Sequence, residues 1–143
     1  MTEYPTLNFK KTLQKSNAWL DDLKDSMGWS ERRRAYMALK TVLHVIRDQL
    51  EDDAAIDFAA DMPLLIRTIY FEGWKQGPHK LPKVSSKEEF LWLIERELGW
   101  DKSVSVEDLS KNVFYVFSKQ ASPTEIKNIS HSLPEHLRSF LVH

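Results

Sequence analysis

Cysteine is absent from this 143-residue chain, which excludes disulfides, thiolate metal sites and thiol catalysis. A chain without cysteine fits a reducing compartment, and the cytoplasm is the expected location. Glycine is scarce. None of the four glycines (Gly28, Gly73, Gly77 and Gly99) belongs to a phosphate-cradling loop. An excess of charge is missing too: twenty basic and twenty-one acidic residues leave a formal net charge of -1. The basic footprint of a general nucleic-acid binder is therefore not there, and no specific nucleic-acid partner is expected. No apolar run approaches the length of a bilayer crossing, so no membrane partner is expected. The segment Met1 to Gln14 also lacks the apolar stretch of a signal peptide.

What is present is helical periodicity. Phe9, Leu13, Leu20, Leu23 and Met27 recur at spacings of three, four and seven, one stripe of an amphipathic helix from about Leu7 to Met27. Gly28 suits the left-handed position that ends a helix, with Trp29 placed to pack back on the last turn. Ser30 is the expected N-cap of a second helix reaching Leu50. Its apolar face (Ala35, Leu39, Val42, Leu43, Val45, Ile46, Leu50) is wide enough for a central helix, leaving a narrow polar stripe of Lys40, His44, Arg47 and Asp48. Asp52 or Asp53 is expected to cap a third helix, and Pro63 to separate it from a fourth over Leu64 to Phe71.

The stretch 73–86 holds two of the four glycines and two of the six prolines and reads as a linker. A capping box of Ser86 and Glu89 then opens a new helix, and the pattern starts again. Trp29 and Trp100 lie 71 positions apart, as do Pro63 and Pro134. At the same offset Leu23 meets Ile94, Val42 meets Val113, Ile46 meets Phe117, Phe58 meets Ile129 and Arg67 meets Arg138. Ser122-Pro123-Thr124-Glu125 supplies a second capping box, with proline at the first helical position. The expectation is one all-α domain over 1–143: a helical bundle of two tandem repeats, about 7–72 and 87–143, each of about four helices, joined by a linker at about 73–86.

The segments "AYMALKTVLHVIRDQL", "DMPLLIRTIYFEGW" and "EEFLWLIERELG" resemble the bacterial and archaeal Domain of Unknown Function 2267 (DUF2267) family. The likeness runs from about Phe9 to Phe140. It is most specific at Ile46 to Leu50 and at the Pro-Leu-Leu-Ile-Arg run that ends in Gly-Trp, although Gln49 stands where the family often has a second arginine. The resemblance implies an all-helical fold. It supplies no activity, cofactor or catalytic residue.

Few residues invite chemistry. His131 and His136 are five apart with Pro134 between them, which spoils the shared helix face that a His-Glu-x-x-His site needs. His44 has Lys40 and Asp48 at i−4 and i+4, a spacing that pairing along a solvated helix face explains as well as a proton relay does. Arg32, Arg33 and Arg34 open a helix against its dipole, so they are an anion or partner contact, the partners of Asp21, Asp22 and Asp25, or simply solvated. The linker gathers Trp74, His79 and Lys80, a mixture that suits stacking and phosphate contact or a merely anchored connector. Arg47, Arg67 and Arg138 beside apolar residues read as structural charges closing helix ends against carboxylates such as Asp61. No catalytic, cofactor or metal site is expected. The leading functional expectation is a non-enzymatic protein-interaction or self-association module, with a homo-oligomer or a protein partner. The alternative is a small-ligand or anion binder, its site between the repeats or at Arg32–Arg34.

Overall fold

The computed structural model describes residues 9–75, 80–99 and 101–140. Its order is α1 (Phe9–Ser26), α2 (Arg32–Gln49), α3 (Asp52–Ala59), α4 (Leu64–Phe71), α5 (Lys87–Glu97), α6 (Val106–Gln120), α7 (Pro123–Ser132) and α8 (Glu135–Arg138), with no strand among the described residues.

Local chemistry sets the helix ends. Gly28 takes φ 72°, the left-handed conformation that glycine adopts without a Cβ penalty. It lets the Trp29 N–H reach the Lys24 carbonyl (2.9 Å) and the Gly28 N–H reach Asp25 (3.1 Å), a complete Schellman closure of α1. Trp29 packs on the core edge as expected and also carries the Arg34 guanidinium 4.4 Å above its ring. The helix starts differ from expectation by a residue or so. Glu31, not Ser30, is the N-cap of α2, in extended conformation and without a side-chain capping bond. Glu51 holds that position for α3, which puts Asp52 and Asp53 in the first turn, where the helix dipole favours carboxylates. Ser86 accepts from the Glu89 N–H as expected, but the Glu89 carboxylate accepts from the Ser85 N–H (3.0 Å), one residue upstream of a closed box. The Ser122–Glu125 box is complete, with Pro123 in the first turn. Ser105 caps α6, a start not anticipated from the sequence.

α2 is central: it packs on α1, α4, α5 and α6. The remaining pairings are α1 with α4 and α6, α5 with α6, and α3 with α7. Buried apolar residues from all eight helices join in one core. Its middle is aromatic. Phe117 of α6 meets Trp19 of α1 edge-on at 4.8 Å between centroids and Phe58 of α3 at 5.2 Å, while Phe114 stacks on Phe140 at 5.3 Å.

Pro63 and Pro134 occupy the N-cap positions of α4 and α8, with near-identical geometry (φ −55°, ψ 151° and φ −58°, ψ 152°). Each corner is tied by the arginine four residues on. Arg67 Nη2 donates to the Met62 carbonyl (3.1 Å), and Arg138 Nε donates to those of Ser130 (2.9 Å) and Leu133 (3.0 Å). The helix ends are thus closed against carbonyls rather than against Asp61. Other boundaries also fall at the 71-residue interval: α2 ends at Gln49 and α6 at Gln120, α3 starts at Asp52 and α7 at Pro123. The first helices differ, 18 residues in α1 against 11 in α5, because residues 80–85 are not helical where their counterparts in α1 already are.

Candidate functional site

The polar stripe of α2 is covered at its Arg47–Asp48 end, while Lys40 reaches toward solvent. The C-terminal end of α4 lies over it and presents carbonyls that no further helical turn satisfies. Arg47 Nη1 donates to the Tyr70 (2.8 Å) and Glu72 (2.9 Å) carbonyls, and its Nε donates to Asp48 Oδ1 (3.0 Å). His44 lies 2.7 Å from the Ile69 carbonyl, so its Nε2 carries the proton and donates. Burial holds the His44 imidazole below its ordinary pKa against the raising effect of that bond, and nearby Arg47 and Lys40 lower it further. Lys40 pairs with Glu72 at 2.9 Å, and that hydrogen bond lowers the Glu72 carboxyl and raises the Lys40 ammonium. Cationic and imidazole donors at a helix C-terminus complement its dipole. The reading of this stripe as a solvated face is therefore corrected.

The same end of α2 holds the linker. Asp48 Oδ2 accepts from the Leu81 N–H (3.2 Å). The Gln49 amide donates to the Pro82 carbonyl (2.9 Å) and accepts from the Val84 N–H (2.8 Å). Lys80 Nζ reaches the Leu50 carbonyl (3.0 Å) and Asp52 (2.9 Å), and Lys83 reaches the Gln49 carbonyl (3.0 Å) and Glu51. Both lysines cap α2 and bridge to the start of α3.

The residues singled out from the sequence are thus dispersed. Arg32 forks onto Asp21 with two 2.9 Å bonds. Arg34 forks onto Asp101 (2.8 and 3.3 Å) and reaches Ser103 (2.8 Å). The Ser103 hydroxyl, together with Arg34, holds the Asp101 carboxyl below its ordinary range. Arg33 is exposed and makes no polar contact among the described residues. Trp74 packs on Phe71 at 5.4 Å with its Nε1 buried, and Lys80 is spent on α2 and α3, its side chain only 12% exposed. His79 lies outside the described residues.

Sequence reasoning missed a groove. The corner at Pro63, the outer face of α1, the end of α6 and the start of α7 enclose about 580 Å³, lined by Thr12, Lys15, Trp19, Asp61, Met62, Leu64, Arg67, Gln120 and Glu125 among others. Trp19, Met62, Pro63 and Leu64 form its apolar part. Lys15 and Asp61 have no partner among the described residues. Leu64, which lines it, is 46% exposed, and the same two helices carry other exposed large apolar side chains: Phe9 (77%) and Leu13 (51%) on α1 and Leu65 (39%) on α4. No group of three or more histidines and carboxylates is placed to hold a metal among the described residues, and no helix of the described residues is long and apolar enough to cross a membrane.

The fold defines an all-helical protein with a groove at the Pro63 corner among the described residues. The family model described as "Uncharacterized conserved protein (DUF2267)" matches residues 16–140, and the chain belongs to that family. No curated protein matches it.

Proposed function

We propose that this chain is a non-enzymatic interaction module, one cytoplasmic domain of two tandem copies, that self-associates or docks a protein partner through the groove and its rim. The observation that carries this reading is the exposure of Phe9, Leu13, Leu64 and Leu65 on two helices packed against each other. A single exposed apolar residue needs no explanation, whereas four on two packed helices, one of them lining a cleft, support a contact surface. The 71-residue correspondence of helix ends and proline corners supports the two copies, and the lack of cysteine supports the cytoplasm. Light scattering after size exclusion, across a concentration series, tests self-association. Affinity capture with the whole chain, followed by reconstitution with the purified partner, tests docking. Leu13→Glu with Leu64→Glu is expected to abolish either without lowering the melting temperature. A double variant that associates as the parent does would refute the reading.

A second reading is a small-ligand or anion binder. The groove favours it by placing Lys15, Arg67, Asp61 and Glu125 around one volume. The Arg32–Arg34 start favours it less, because two of its three arginines are already bound to carboxylates. Thermal shift against metabolites and nucleotides at about millimolar concentration separates the two readings, since a ligand well above its Kd stabilises by several kcal/mol.

A further inference from the structure

The chain already holds one docked extended segment. Residues 80–84 cross the end of α2, where Gln49 bonds two of their backbone groups, Pro82 C=O and Val84 N–H. In extended backbone the carbonyl of one residue and the N–H two residues on point to the same side. A primary amide offers a donor and an acceptor side by side, so Gln49 imitates the N–H and C=O that one residue of a neighbouring strand turns to the same side. The segment covers it so well that Gln49 is only 4% exposed.

Gln120 ends α6 as Gln49 ends α2, at the 71-residue offset, but it is exposed and borders the groove. Its Nε2 donates to Asp22, and its Oε1 makes no bond among the described residues. The positions that correspond to 80–84 are Phe9 to Leu13. They are wound into α1 and do not cross Gln120. One half fills its amide with its own backbone, whereas in the other Asp22 takes one amide N–H and the oxygen has no bond among the described residues.

We propose that the groove receives an extended peptide segment of a protein partner, bonded through its backbone to Gln120 and seating an apolar side chain against Met62, Pro63 and Leu64. The proposal rests on the interaction reading above and names the chemistry of the partner. Charge sets its character. Lys15 and Arg67 balance Asp61 and Glu125, matching a segment without net charge. The carboxylates that share Lys80 and Lys83 with the helix-end carbonyls in the covered half, Asp52 and Glu51, correspond to Pro123 and Ser122, and Asp48 corresponds to Lys119. A basic segment finds none of those carboxylates here.

The test titrates the ¹⁵N-labelled full chain with the blocked peptide Ac-QLPQVS-NH2, which copies residues 80–85 with both lysines changed to glutamine, and with its parent Ac-KLPKVS-NH2. The neutral peptide is expected to move the resonances of Thr12, Leu64 and Gln120 saturably below about 5 mM, and the basic one to bind more weakly. Gln120→Ala should weaken binding about two- to tenfold, the loss of one neutral hydrogen bond, with the melting temperature unchanged. Leu64→Glu should abolish it. No shift at those residues at about 5 mM peptide, or equal affinity in the parent and both variants, overturns the proposal. Self-association that Leu64→Glu abolishes, without peptide binding, would make the occupant a second copy: the peptide proposal fails and the interaction reading stands. If neither peptide binding nor any Leu64-dependent association is found, both fail.

Discussion

Arg47 is buried with three hydrogen bonds, and its removal would strand the equally buried Asp48 with the Leu81 N–H as its remaining partner. Breaking a buried pair from one side costs about 3–5 kcal/mol, so Arg47→Ala is expected to lower stability by that order in urea unfolding. Tyr70 poses a smaller case. Its hydroxyl donates to the buried Ala55 carbonyl at 2.8 Å, and burial holds the phenol far above its ordinary pKa, neutral throughout the working range. Tyr70→Phe should cost about 0.5–1.5 kcal/mol, the loss of one neutral hydrogen bond, since the Ala55 carbonyl keeps its place in the α3 ladder. His44 predicts a pH response. The folded state resists its protonation, while an unfolded imidazole titrates near the ordinary value of 6.5. In the interval below that value the unfolded chain binds more protons, so this contribution is complete above it and is lost as the pH falls toward the depressed folded value. Melting temperature followed from pH 8 downward should drop less in His44→Gln, which keeps a donor for the Ile69 carbonyl and does not titrate. Equal slopes in the two proteins would show that His44 does not drive the response.

Among the elements, the proline corners were the most legible, because a missing N–H and a fixed φ act within a few residues of sequence. The capping box at Ser122 and the glycine stop at Gly28 were readable for the same local reason. The polar stripe on α2 misled. Periodicity shows which side chains share a face but not what comes to cover it, and here the cover is the carbonyl end of α4, more than twenty residues away. The lysines of residues 80–84 were equally opaque, since their partners are carbonyls that become available only where α2 stops. Pro63→Ala tests a corner directly. Alanine can adopt the same dihedrals but frees the unfolded chain and supplies no cap, so a loss of about 0.4–1 kcal/mol is expected despite alanine's better helix propensity. A raised melting temperature would show that the corner needs no proline.

Across the molecule, the two halves meet through Phe117, with Trp19 and Phe58 on either side of its ring. Truncating it to alanine opens a cavity that both halves line. A cost of about 3–5 kcal/mol is expected, with unfolding still a single transition that tryptophan fluorescence and circular dichroism report at the same denaturant concentration. Two separated transitions would mean that the halves are independent folding units. The groove belongs to this scale as well. Thr12, Leu64, Gln120 and Glu125 come from four helices, and nothing local in any of them announces the others.

The bonds that Gln49 and Asp48 make to residues 81–84 bear on limited digestion. By composition the lysines of this stretch invite trypsin, yet a protease must draw several residues of free extended backbone into its own cleft. Lys80 and Lys83 have their ammonium groups bonded to helix-end carbonyls, and the backbone beside them is bonded as well. Cleavage after either lysine should therefore wait on opening of the end of α2, and in Gln49→Ala it should come first.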